Sequence, residues 1–236
     1  MERKLKQLVE RLTKAYDNRL KSVILYGSAA GNDYHGKFSD LNVLCVLTEV
    51  TPRELADSTA IVHWWHEQGN PSPLLMSEEE MRNGTDCFAI EFQDIRERHR
   101  VLHGEDVAQH LEIDTCFYRA QVEHELRAKL LRLRQKAAGA LADPNMLRTL
   151  LADSVSTFCV LFRHALKLAG LEARFEKREV IGQARERFGI SAAPFDKLLD
   201  LREEKIKPRD IDPVPLLADY MKQIQVVIDA VDVLEK

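Results

Sequence analysis

The sequence predicts an α+β protein, in which a mixed sheet flanked by helices is followed by an all-α bundle. Three observations lead to this fold class. Helix and strand patterns alternate up to about residue 112, and two apolar runs there, 22–26 and 41–47, are rich in residues that favour strands. After about residue 113, the apolar residues keep helical spacing to the end of the sequence. We therefore assign residues 1–112 to a first domain and residues 113–236 to a helical bundle domain.

The first domain opens with an amphipathic helix. Its apolar residues recur at helical spacing and are Leu5, Leu8, Val9, Leu12 and Tyr16. The runs 22–26 and 41–47 follow as buried strands. A second helix is predicted to begin at Pro52, because Thr51 is a favourable N-cap and Glu54 completes a capping box.

Two further strands are predicted before the bundle. Pro73–Met76 is short and starts with proline, which is typical of an edge strand. Cys87–Ile95 combines aromatic and β-branched residues, and we interpret it as the third clear strand.

The bundle domain is predicted to contain three long helices and two shorter ones. Asp143 and Pro144 mark the start of the second long helix, and the shorter helices cover about 176–188 and 194–205. The apolar stripes of the long helices are Leu126, Leu130, Leu133, Ala137 and Leu141; Leu147, Leu151, Val155, Phe158, Phe162, Ala165 and Ala169; and Leu217, Tyr220, Ile224, Val227, Val231 and Leu234.

Composition narrows the classes of function. Charged residues make up 31% of the chain, and the formal net charge of -4 gives no global reason to expect nucleic-acid binding. No apolar run approaches the length that crosses a bilayer, and the first six residues lack a signal-peptide core, so we expect a cytoplasmic protein with no membrane partner. The four cysteines form no CxxC pair, which argues against a disulfide framework or a cysteine zinc site.

The stretch from Val23 to Leu47 contains the candidate functional residues. An apolar strand ends in Gly27 and Ser28, a small-residue turn follows, and a polar loop leads to Asp40 at the head of the next strand. Glycine lets a phosphate approach the backbone closely, and Ser28 offers a hydroxyl and an N–H at the start of a short helix. Residues 40 and 42 are two apart on a strand, so they share a face.

This combination resembles the nucleotidyltransferase superfamily, which includes DNA polymerase β and the kanamycin nucleotidyltransferases. The family pattern is an apolar strand, Gly-Ser, a spacer of around ten residues, Asp-x-Asp on the next strand and a third carboxylate from a later strand. The match covers roughly residues 20 to 100. It implies a phosphate-binding turn at Gly27 and Ser28, and two Mg²⁺ ions that activate an acceptor hydroxyl and neutralise the leaving pyrophosphate of ATP or another NTP.

Asn42 departs from the family pattern, because it stands where the second metal carboxylate is expected. An amide oxygen is able to ligate Mg²⁺ but brings no charge. The third carboxylate is Glu91 or Asp94, and we favour Glu91 because Asp94 is also placed to cap a following helix. The predicted metal ligands are therefore Asp40, Asn42 and Glu91, the predicted catalytic residues are Asp40 with Glu91 or Asp94, and Asn42 joins the turn in nucleotide binding.

Three functions remain open from the sequence. The first is a magnesium-dependent nucleotidyltransferase that moves an NMP to a hydroxyl of an unidentified small molecule, RNA or protein. The second is an inactive pseudo-nucleotidyltransferase that senses nucleotide or binds a partner. The third is a toxin–antitoxin component, because Arg119 and His124 resemble the Arg-x4-His element of HEPN ribonucleases, although Ala120 departs from that element. A homodimer that closes a shared cleft would suit the exposed helices.

Overall fold

The computed structural model describes residues 1–31 and 40–234. The chain divides into two compact units, Met1–Cys116 and Phe117–Lys236. The first unit holds all the strands among the described residues and the second is helical, as the α+β fold class requires. The domain bounds 1–112 and 113–236 stay a prediction.

The first unit is a four-stranded mixed sheet with helices on both faces. The strand order is β3-β2-β1-β4, in which β1 pairs antiparallel with β2 and β4, and β2 pairs parallel with β3. Its elements are α1 (Glu2–Tyr16), β1 (Leu20–Tyr26), β2 (Asn42–Leu47), α2 (Pro52–Glu67), β3 (Leu74–Ser77), α3 (Glu78–Asn83), α4 (Ala89–Glu97) and β4 (His99–Gly104).

Alternation along the strands produces two separate apolar layers. On one face, the odd-numbered residues of β1 and β2 pack with α1 and α2 around the fully buried Trp65. On the other face, Ile24 and Leu44 pack with Phe92 and Ile95 of α4. The predictions for α1, β1, β2 and the edge strand β3 are confirmed.

The start of α2 follows the sequence pattern closely. The Arg53 N–H donates to Thr51 Oγ1 at 3.2 Å, and the Thr51 N–H donates to Glu54 Oε2 at 3.1 Å, which completes the capping box. Glu54 is buried and also forms an ion pair with Arg19. The hydrogen bond from the Thr51 hydroxyl lowers the pKa of the Glu54 carboxyl to about 2, while burial opposes the shift and Arg19 adds to it.

The predicted strand Cys87–Ile95 is wrong. Residues Ala89–Glu97 form helix α4, and the strand that follows it, His99–Gly104, was not predicted. The buried residues of α4 are Ala89, Ile90, Phe92, Gln93 and Ile95, which is a helical spacing rather than a strand alternation. The sheet face supplied by Ile24 and Leu44 needs a cover, and a helix presents Phe92 and Ile95 to it together.

In the described residues, the second unit has five α-helices and a short 3-10 helix at Pro208–Asp210. The α-helices are α5 (Tyr118–Ala140), α6 (Pro144–Leu168), α7 (Lys177–Phe188), α8 (Ala193–Arg202) and α9 (Pro213–Asp232). The predicted stripes are buried, except that Leu141 lies beyond α5 and is exposed, and Ala169 and Leu234 lie beyond α6 and α9. Asp143 caps α6 as predicted, by accepting from the N–H groups of Asn145 and Met146. Within the described residues, no helix combines the length and the apolar character needed to cross a membrane.

Candidate functional site

The turn after β1 has the conformation that its glycine predicts. Residues Gly27–Ala30 form one turn of 3-10 helix, and the Gly31 N–H donates to the Ser28 carbonyl oxygen at 3.3 Å to close it. Gly27 has a φ of 76°, in the left-handed region that favours glycine. The Gly27–Ser28 turn is therefore present where the sequence placed it.

Asn42 lies directly beside this turn. A Cβ on Gly27 would lie 3.4 Å from Asn42 Nδ2, so the amide group is next to the glycine backbone. Asp40 is exposed and stands two residues before β2 begins. The spacer residues 32–39, including Ser39 of the predicted loop, lie outside the described residues.

Three neighbouring strands each contribute one polar residue at the end of the sheet beside the turn. In the antiparallel ladders, Tyr26 of β1 is paired with Asn42 of β2 on one side and with His99 of β4 on the other. Directly paired residues point to the same face, which here is the face covered by α4. We call Asn42, Tyr26 and His99 the polar row.

The side chain of His99 is fixed by an acidic neighbour. His99 Nε2 lies 2.9 Å from Asp106 Oδ1, and the Gln109 N–H also donates to Asp106 at 3.0 Å. Burial acts to raise the pKa of the Asp106 carboxyl, but the hydrogen bonds from Gln109 and His99 outweigh it and hold the pKa below its usual value. A carboxylate therefore orients the imidazole at one end of the polar row.

Glu91 and Asp94 lie on helix α4 rather than on a strand. Glu91 is exposed and Asp94 is half-buried. Burial, and then the negative charge of Glu91, raise the pKa of the Tyr26 phenol. Because residues three apart on a helix lie on adjacent positions, both carboxylates are able to face the same side, in contrast to the strand geometry that the sequence predicted.

Among the described residues, the carboxylates are not arranged as the family pattern of three metal carboxylates on strands implies. Strands β3 (LLMS) and β4 (HRVLHG) contain no carboxylate, so no later strand of the described sheet supplies the third one. In the part of the chain that the structure describes, no three His, Cys, Asp or Glu residues are grouped so that they would hold a metal ion. Asp40 with the neutral Asn42 suits a single Mg²⁺ that arrives on substrate phosphates. The ligand roles assigned to Asp40, Asn42 and Glu91 stay predictions.

Sequence reasoning missed Tyr26 and His99. His99 was missed because its segment was read as a strand followed by a short helix. Tyr26 was read only as the end of an apolar strand. Tyr26 is paired with Asn42 and His99, and no pattern within a short stretch of sequence predicts pairings between residues so far apart in the chain.

Arg119 and His124 lie on α5 but differ in their exposure to solvent. Arg119 forms an ion pair with Glu123 at 2.9 Å and is half-buried, whereas His124 is exposed. Arg119 also donates to the Val231 carbonyl oxygen of α9 at 3.5 Å, and the HEPN-like hypothesis stays a prediction.

The mixed sheet with its Gly-Ser turn between β1 and β2, followed by a helical unit, defines a nucleotidyltransferase-type fold. The chain has this fold, as the sequence predicted. Among solved structures it is similar to a spectinomycin adenyltransferase from Enterococcus faecialis solved with ATP and spectinomycin, with a TM-score of 0.62 over 97% of this chain and 98% of that chain. The two sequences are 13% identical, so this likeness concerns the fold. No family model and no curated protein matches the chain.

Proposed function

We propose that this protein binds a nucleoside triphosphate, with ATP as the first candidate, at the Gly27–Ser28 turn. In this proposal it acts as a nucleotide-responsive binding protein rather than as a two-metal transferase. The observation that carries the proposal is the position of Asn42, whose amide lies against Gly27 where the family pattern has a metal carboxylate.

The geometry of the turn supports nucleotide binding. Gly27 has no Cβ to obstruct a phosphate, and the 3-10 turn begins at the same residue. Asp40 and Asn42 offer oxygen ligands to one Mg²⁺ of a magnesium–nucleotide substrate. An amide at position 42 avoids a second negative charge beside the phosphates, so binding needs less charge compensation than it would with two carboxylates.

Nucleotidyl transfer is the second candidate function. It is favoured by the likeness over nearly the whole of both chains to an adenyltransferase. In that case we propose that Glu91, an exposed carboxylate on α4, accepts the proton of an acceptor hydroxyl. Spectinomycin is the first acceptor to test, followed by other small molecules, RNA and proteins.

Calorimetric titration with ATP, with and without Mg²⁺, tests the proposed binding. We expect saturable binding to the wild type, and we expect no transfer of labelled AMP to spectinomycin, tRNA or protein under the same conditions. A wild-type protein that binds no nucleotide with any metal would contradict nucleotide binding at the turn. Efficient, Glu91-dependent AMP transfer would instead establish the second candidate.

A further inference from the structure

The guanidinium of Arg98 occupies the space above Gly31. A Cβ on Gly31 would lie 1.7 Å from Arg98 Nη2, 2.0 Å from Nε and 2.1 Å from Cζ. No side chain fits there while the arginine holds this position, so the close approach requires glycine at residue 31. Gly31 is also the residue whose N–H closes the turn onto Ser28. A cationic side chain is therefore packed against the end of the Gly27–Ser28 turn.

The local structure places Arg98 there through both of its neighbouring elements. Arg98 ends helix α4, where its N–H donates to the Asp94 carbonyl oxygen at 3.0 Å. The next residue, His99, begins β4 and is paired with Tyr26, so one more step of the ladder brings Arg98 level with Gly27. The side chain is half-buried, which limits the positions that it samples.

A triphosphate at this turn needs positive charge nearby, because the site already holds several acidic side chains, among them Asp40, Glu91 and Asp94. A guanidinium is planar and always charged, and it binds phosphate oxygens through two parallel N–H donors. We propose that Arg98 is a phosphate-binding residue, which contacts the triphosphate of the nucleotide held at the Gly27–Ser28 turn, and that the missing Cβ of Gly31 leaves the space in which its guanidinium lies. This inference rests on the proposed nucleotide binding and adds the residue that supplies its charge.

ATP affinity of four single variants and one double variant tests the proposal. Arg98→Gln removes the charge and is expected to weaken ATP binding about ten- to hundredfold, the range for a lost charged hydrogen bond. Arg98→Lys keeps a charge without the fork and is expected to fall between Arg98→Gln and the wild type. Arg100→Gln is the matched control, because Arg100 lies two residues further along and is ion-paired with Glu2.

Gly31→Ala tests the positioning of the guanidinium. The new methyl group displaces it, so this variant should weaken ATP binding although Arg98 is still present. When Gly31→Ala is added to Arg98→Gln, no further loss is expected, because the displaced group is already gone. A role in ATP binding through charge also predicts that the loss in Arg98→Gln shrinks as the salt concentration is raised.

The outcomes separate this inference from the function on which it rests. If the wild type binds no ATP, the proposed function fails. If the wild type binds ATP and Arg98→Gln, confirmed as folded by its thermal unfolding, binds equally well, the role of Arg98 is overturned alone. A loss that is the same at low and high salt, or the same in Arg100→Gln, also overturns it, because packing damage rather than a phosphate contact would explain it.

Discussion

The face of the sheet that α1 and α2 cover is built from Val23, Leu25, Val43, Cys45 and Leu47, whereas the face that α4 covers ends in Asn42, Tyr26 and His99. The first face buries its strand residues around Trp65, and Glu54 at its margin forms an ion pair with Arg19. The second face is apolar in its middle and polar beside the Gly27–Ser28 turn. The difference indicates that the first face mainly stabilises the unit. The second face has polar side chains next to the turn, where apolar side chains would add more stability.

The largest expected effect comes from the apolar face. Trp65→Ala removes a side chain with no exposed surface and should lower the free energy of unfolding by about 3–5 kcal/mol. Urea denaturation measures the loss, and ATP affinity measured where the variant is folded should stay unchanged. Trp65→Phe is the control: Trp65 Nε1 makes no hydrogen bond to the described part of the chain, so only volume is lost and the cost should be much smaller. An equal loss in the free energy of unfolding for both variants, or a loss of ATP affinity in Trp65→Ala, would contradict the view that this face only stabilises the unit.

Glu54 at the margin of the same face should give the acid sensitivity of the unit. The folded state lowers the Glu54 pKa from 4.5 to about 2, so the ionised carboxylate stabilises the fold above pH 4.5 and this contribution is lost as the pH falls toward 2. Glu54→Gln should therefore be less stable than the wild type at pH 7, and the difference should narrow as the pH falls below 4.5. Denaturation curves at several pH values measure this.

Glu10→Gln, at an exposed position on α1, is the matched control for Glu54→Gln and should leave the pH dependence unchanged. Arg19 keeps its contact with Asp57 at 2.7 Å in the Glu54 variant, so it is not left as a lone buried charge. A Glu54→Gln variant whose stability difference from the wild type is constant from pH 7 to pH 3 would contradict the role of this carboxylate.

The polar end of the other face should change ligand binding more than stability. Asn42→Asp adds a charge beside Gly27, so ATP binding should weaken without Mg²⁺ and strengthen with it, each on the order of tenfold. Titration with ATP under both conditions checks the reversal of sign, and labelled ATP tests whether AMP transfer appears. Asn145→Asp, at an exposed position at the start of α6, adds the same charge elsewhere and should change neither value. Identical effects of Mg²⁺ on wild type and Asn42→Asp would show that residue 42 does not face the nucleotide.

The smallest expected effect tests whether Glu91 acts on the polar row. The negative charge of Glu91 raises the pKa of Tyr26, so Glu91→Gln should lower that pKa toward its usual value, although burial keeps part of the shift. Ultraviolet titration of tyrosinate measures it when the curve of Tyr26→Phe is subtracted. Glu97→Gln, an exposed change on the same helix, is the control. An unchanged Tyr26 titration in Glu91→Gln would place Glu91 away from the site.

Sequence patterns predicted the capped start of a helix correctly and a short apolar run wrongly. The start of α2 was predicted to the residue, because Thr51, Pro52 and Glu54 satisfy the first N–H groups of a helix without help from the rest of the chain. Cys87–Ile95 was predicted as a strand, because a short apolar run with aromatic residues fits both a buried strand and a helix face. This segment is a helix because a helix presents Phe92 and Ile95 together to the apolar residues on that face of the sheet.

Strand β4 escaped prediction for a related reason. His99–Gly104 is polar at half of its positions and is only half-buried, so it lacks the apolar character of β1 and β2. It is a strand because the free edge of β1 provides hydrogen-bond partners for it. An edge strand of this kind is defined by its neighbour more than by its own composition.

The sequence by itself determined the features that depend on a few consecutive residues. These are the Gly27–Ser28 turn, the caps of α2 and α6, the apolar stripes of the bundle and the neutral residue at position 42. Only the tertiary structure decided that Tyr26 lies between Asn42 and His99, that Glu91 lies on a helix rather than on a strand, and that Arg98 packs on Gly31. The physical reason is that caps, turns and stripes are stabilised by contacts within a turn or two of chain, whereas the site is assembled by ladder pairing and layer packing between residues up to 73 positions apart.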